Sequence, residues 1–152
     1  MKFYAFSGLA FLIGIGLAFA GTKLMTPAKQ LEPTFNYATA KRPDRLAFLA
    51  AEAAPITASI EASLAGMMEL DKPLLNPETR RITYRIHVDG RIAANFDARK
   101  LKMQIYPQLC PGYIKSPLGQ HGVAVIQRFV AKSGTGTLMK IMLSNRICTQ
   151  FI

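Results

Sequence analysis

The residues able to do chemistry are few. The chain has two cysteines, Cys110 and Cys148, and two histidines, His87 and His121. A redox pair needs the C-x-x-C spacing, which these cysteines lack. A metal centre needs histidine, cysteine or carboxylate ligands at short, regular spacing, and neither histidine has them. The sequence contains no G-x-S-x-G, no H-E-x-x-H and no glycine-rich phosphate loop after a strand. The one arrangement suited to general base work is His87 with Asp89, two apart near a turn. A solvent-facing histidine at a strand end is the plainer account of it. His121, in Gly-Gln-His-Gly, reads as a polar loop residue. The sequence therefore offers no catalytic set, no metal ligands and no cofactor site.

Charge is the stronger signal. There are 19 basic and 9 acidic residues, a net charge of +10. After Asp97 the acidic residues stop, while Arg99, Lys100, Lys102, Lys115, Arg128, Lys132, Lys140 and Arg146 follow. A one-signed half favours an acidic partner over long range. An acidic protein surface and an anionic membrane surface both fit. Nucleic acid fits the charge but not an exported location. The alternative is that these side chains only keep the domain soluble.

Export is read from the N-terminus. Residues 3–20 carry no charge, Lys2 precedes them, and Ala18-Phe19-Ala20 has the form of a signal-peptidase site. The same run is about long enough to span a bilayer. Residues 1–20 are thus a cleaved signal peptide or a retained membrane anchor, and the remainder is expected in a bacterial periplasm. In that compartment Cys110 and Cys148 are expected to pair. Residues 21–42, with Pro27 and Pro33, read as an extended linker in which Phe35 and Tyr37 either pack on the domain or mark a contact point.

The elements that position these residues lie in a domain over 43–152. Pro43-Asp44 opens a helix with Leu46, Phe48, Leu49 and Ala53 as its apolar stripe, and Pro55 ends it or starts a second segment. Ile56, Ile60 and Leu64 continue at spacings of four. MMEL, from Met67 to Leu70, is either helix or an edge strand. Asn76-Pro77-Glu78-Thr79 is a turn. In the next stretch Ile82, Tyr84, Ile86 and Val88 alternate with Arg81, Thr83, Arg85 and His87, so one face is core and the other basic. Asp89-Gly90 turns, and residues 91–96 read as a return strand. Asp97 caps a helix carrying Leu101, Ile105 and Leu109, distorted by Pro107 and ended by Cys110-Pro111-Gly112. Pro117 and Gly119 extend a loop to a hairpin whose first strand is apolar on both parities. Its return strand has Met139, Ile141 and Leu143 on one face and Lys140 on the other.

The expected fold is α+β: a three- to four-stranded antiparallel sheet with helices packed on one face, preceded by an N-terminal hydrophobic helix. An alternating strand with Tyr84, a helix ending at Cys110, a strand begun at Gly122 and a hairpin closing on Cys148 resembles small exported bacterial proteins of the quorum-sensing-regulated virulence factor family, over about residues 55–148. The resemblance implies an exported α+β domain with a disulfide, and no activity.

The function expected is that of a non-enzymatic periplasmic interaction module in an envelope assembly such as a secretion, conjugation or pilus system. Its partner-binding face carries Arg81, Arg85, Arg128 and Lys140. The alternatives are a secreted effector or inhibitor that binds an acidic target through its basic half, and a cell-envelope hydrolase.

Overall fold

The computed structural model describes residues 35–64, 68–89, 97–132 and 136–152. The apolar run at 1–20, the linker as far as residue 34, the return strand expected at 91–96 and the hairpin tip at 133–135 lie outside the described residues.

The described chain is an α+β fold on a mixed five-stranded sheet. Helix α1 spans Arg42–Leu64. Strands β1 (Met68–Leu70) and β2 (Leu74–Asn76) follow, then β3 (Arg81–Val88). Helix α2 (Ala98–Lys115) and a single turn, α3 (Pro117–Gln120), lead to β4 (Ala124–Ala131) and β5 (Thr137–Leu143). A last turn, α4 (Asn145–Cys148), ends the regular structure but for a short 3₁₀ turn.

The strands do not all run antiparallel. β1 and β2 both pair antiparallel with the same side of β3, and β4 with β5, but β3 and β4 are parallel. A parallel pair needs a crossover of a dozen or more residues. The stretch between Val88 and Ala124, with α2 inside it, supplies that length. β2, a three-residue strand, was hidden in the sequence by its shortness. Of MMEL, Met68–Leu70 is strand β1, and Met67 lies outside the described residues.

Prolines do not end the helices here. Pro55 lies inside α1, and Pro107 and Pro111 lie inside α2. Each removes one backbone hydrogen bond. At Pro55 and Pro107 the cost is limited because the carbonyls left over, at Ala51 and Met103, sit on exposed residues. Burial of Leu109, Cys110 and Tyr113 carries α2 three residues beyond the stop expected at Cys110-Pro111-Gly112. Its start is as the sequence indicates: the Asp97 carboxylate accepts from the Lys100 amide. The run through Pro117 and Gly119 is helical, not loop. Ser116 caps it, and a Cβ at Gly119 would lie 2.3 Å from the Tyr113 carbonyl oxygen, so only glycine fits.

The sheet's inner face is apolar. Ile82, Tyr84, Ile86 and Val88 of β3 are fully buried, matched by Val125 and Phe129 of β4 and Met139, Ile141 and Leu143 of β5. Leu49, Ile56 and Ile60 of α1, and Ile105, Leu109 and Tyr113 of α2, join the same cluster. The Tyr84 hydroxyl donates to the Ala53 carbonyl at 3.0 Å, which fixes α1 on this face. Gln127 also points inward, opposite Tyr84 and Ile141, with neither end of its amide bonded to any described residue.

Cys110 and Cys148 form the disulfide, both wholly buried. It joins α2 to α4 and so ties the crossover helix to the turn that follows the last strand.

Candidate functional interface

The outer face of the sheet is built by the alternation that builds its core. In β3 the residues facing away from the core are Arg81, Thr83, Arg85 and His87. Parallel pairing sets Arg85 directly beside Arg128 of β4, and antiparallel pairing sets Arg128 directly beside Lys140 of β5. Three cationic residues therefore stand in one row across three adjacent strands, at about 4.8 Å per strand. Arg81 lies roughly 13 Å from Arg85 along β3. All four are exposed. The same face is partly apolar: Ala124, Ile126 and Val130 are buried, and Leu74, opposite Thr83 on β2, is 69% exposed.

Like charges directly opposite one another in a sheet are destabilising. Asp71 lies beside Arg85 at the β1 edge, its amide donating to the Arg85 carbonyl at 3.1 Å, but its carboxylate turns to His87, and no carboxylate among the described residues pairs with the row. Glu78 is bound to Arg42 at 2.6 Å, Asp71 to His87 at 2.9 Å and Glu69 to Lys132 at 3.3 Å. Among the described residues the side chains of Arg81, Arg85, Arg128 and Lys140 take part in none of these pairs. The sequence singled out these four residues, but not that three of them align. That depends on the crossover and on two registers, which have no local signal.

The histidines are placed differently from expectation. The carboxylate against His87 belongs to Asp71, across the β1–β3 edge, rather than to Asp89. The pair is partly exposed. His121 is not a free loop residue. Its ring stands edge-on to Phe35 and Phe48, with centroids at 5.4 and 5.1 Å, and those two rings stack at 4.6 Å. Burial and the neighbouring Arg80 guanidinium push the His121 pKa below its ordinary value, so its neutral form is favoured.

Beside this cluster Tyr37 is 1% exposed, and its hydroxyl donates to the Pro77 carbonyl at 2.7 Å. The Arg45 and Arg80 guanidiniums lie 5.1 and 4.8 Å from its ring centre. Of the two readings open for Phe35 and Tyr37, both residues pack on the domain. Arg80 adopts φ 53°, in the left-handed region disfavoured for side-chain-bearing residues. It is held there by its bond to the His121 carbonyl at 3.2 Å and by the Tyr37 ring. Its own carbonyl accepts from the Ala124 amide at 2.9 Å, which starts the β3–β4 ladder. The aromatic cluster thus supports the strand pairing that creates the basic row.

A shallow depression on the opposite side, between α1 and the bend before β2, is lined by Ala50, Ala54, Thr57, Ala58, Glu61 and Pro73, among others. Much of its wall is alanine. The Thr57 hydroxyl is taken up by the Ala53 carbonyl at 2.9 Å.

Among the described residues no group of three or more histidines, cysteines and carboxylates is arranged to hold a metal ion, and no helix is long and apolar enough to cross a membrane. Comparison with protein-family models, with curated proteins and with solved structures finds no match.

Proposed function

We propose that this protein is a non-enzymatic interaction module of the bacterial cell envelope, exported by its N-terminal segment, and that it docks an acidic protein partner on the outer face of its sheet. One observation carries the reading. Among the described residues Arg85, Arg128 and Lys140 align across three strands with no carboxylate paired to them, while Glu78, Asp71 and Glu69 are bonded to Arg42, His87 and Lys132. A sheet that keeps like charges abreast gives up stability in the free state and recovers it when an anionic surface covers them. Supporting it further, a disulfide suits an oxidising compartment.

The test is a pull-down from envelope extract with the tagged full chain, alongside R85E/R128E/K140E. The reading requires a partner retained by the wild type and lost from the triple variant. It also requires the complex to weaken as salt rises. Capture of the same proteins by both forms would end it.

A further inference from the structure

Resting on that reading, we infer that the partner presents an acidic α-helix to the sheet, with carboxylates at i, i+4 and i+7, laid across β3, β4 and β5. The argument is one of spacing. Arg85, Arg128 and Lys140 occupy successive strands, so the row advances about 4.8 Å per step and roughly 9.6 Å overall. Residues three and four apart on a helix stand about 5–6 Å apart on one face, and seven residues advance roughly 10.5 Å along the axis. Three carboxylates so placed meet three cations in step. An extended strand presents same-face residues every two positions, about 6.7 Å apart, and its third carboxylate falls near 13 Å, beyond the end of the row.

The apolar contact open to the helix flank is Leu74, 69% exposed at the β2 side, while Ile126 and Val130 beside the row are only 3% exposed. The step from Arg128 to Lys140 is regular, because the irregularity in the β4–β5 ladder comes only between Phe129 and Val130. Arginine dominates the row, and its fork is suited to bidentate capture of a carboxylate. A second copy of this chain is disfavoured as the occupant, since each copy carries +10.

The experiment measures binding of two alanine-based peptides by the full chain in detergent, by fluorescence anisotropy at low salt. Both have the same composition. One carries glutamates at i, i+4 and i+7 on a single face, and the other distributes them around the helix. Phosphatidylglycerol vesicles, offered to the chain after the detergent is removed by dialysis, are the third probe. The patterned peptide is expected to bind about tenfold tighter than the scrambled one, to gain helicity on binding, and to lose about tenfold with R128E and less with R128Q. Circular dichroism establishes that each variant is folded.

Equal binding of the two peptides, both weakened by R128E, would overturn the helix while leaving an acidic partner in place. Binding of vesicles through Arg128 with neither peptide bound would overturn it in favour of a lipid surface. If R128E altered no probe and the envelope pull-down were also unchanged, the reading beneath this inference would fall with it.

Discussion

Reversing the middle charge of the row should stabilise the protein while disabling its interface. Arg128 stands between Arg85 and Lys140, so Arg128→Glu removes two like-charge neighbours and creates two opposite-charge ones. Cross-strand charge pairs on exposed sheet surface are worth about 0.2–1 kcal/mol each. Four such changes, discounted for solvent screening, sum to about 1–2 kcal/mol at low ionic strength. In a domain of this size that raises the melting temperature by roughly 3–8 °C. The assay is thermal unfolding of the full chain followed by circular dichroism, at about 20 mM and about 1 M salt. The gain should shrink by more than half at high salt, where the Debye length falls to about 3 Å. Arg128→Gln should give about half the gain. A lower melting temperature for Arg128→Glu would refute the claim that the row is under mutual repulsion. A gain indifferent to salt would refute the electrostatic cause.

Four further outcomes follow from the same geometry. Serine at both Cys110 and Cys148 should lower the unfolding free energy by about 3–4 kcal/mol in the chain-entropy account, measured by urea denaturation without reductant. Gln127→Met should raise it by about 1–3 kcal/mol, because the inward-facing amide has no partner among the described residues; a loss would show that the amide is satisfied in solution. Burial raises the hydroxyls of Tyr84 and Tyr113 to about 12, so absorbance titration should find two tyrosines ionising late. Their contribution to stability is complete below about pH 10 and is lost as pH climbs from 10 towards 12, since the unfolded chain ionises first. His121 runs the other way: its folded pKa is depressed, so its contribution is present above the ordinary histidine range and is lost as pH falls through the folded value, which an NMR titration of the ring protons reads directly.

Period and capping were legible in the sequence wherever the cause was local. The alternation from Arg81 to Val88 is the alternation of the folded strand, and Asp97 caps the helix as its position suggests. The pairing of Cys110 with Cys148 was legible because only two cysteines exist. What failed was decided at long range. Proline at 55, 107 and 111 obeys a local rule that burial outweighs. The direction of β4 relative to β3 is written in no window, because a long connection allows either. His121 looked like a loop polar residue because Phe35 and Phe48 reach it only in the fold. Gln127 lay within an apolar run, where its identity was visible but its inward facing depended on pairing with Tyr84 and Ile141.

The crossover and the disulfide act on the interface in different ways, and the difference separates structural loss from functional loss. Parallel pairing holds a constant offset between β3 and β4, so the outward residues of one strand meet those of the next along the whole ladder. It is this offset that brings Arg85 beside Arg128. The disulfide does not touch the row. It fastens α2, which makes the crossover possible, to α4, which follows the strand bearing Lys140. Opening it should cost stability and, through loosened strand pairing, binding as well. Arg128→Glu should raise stability and lower binding. Two perturbations that both weaken docking but move the melting temperature in opposite directions cannot share a cause in unfolding, and only the charges of the row remain to explain the second.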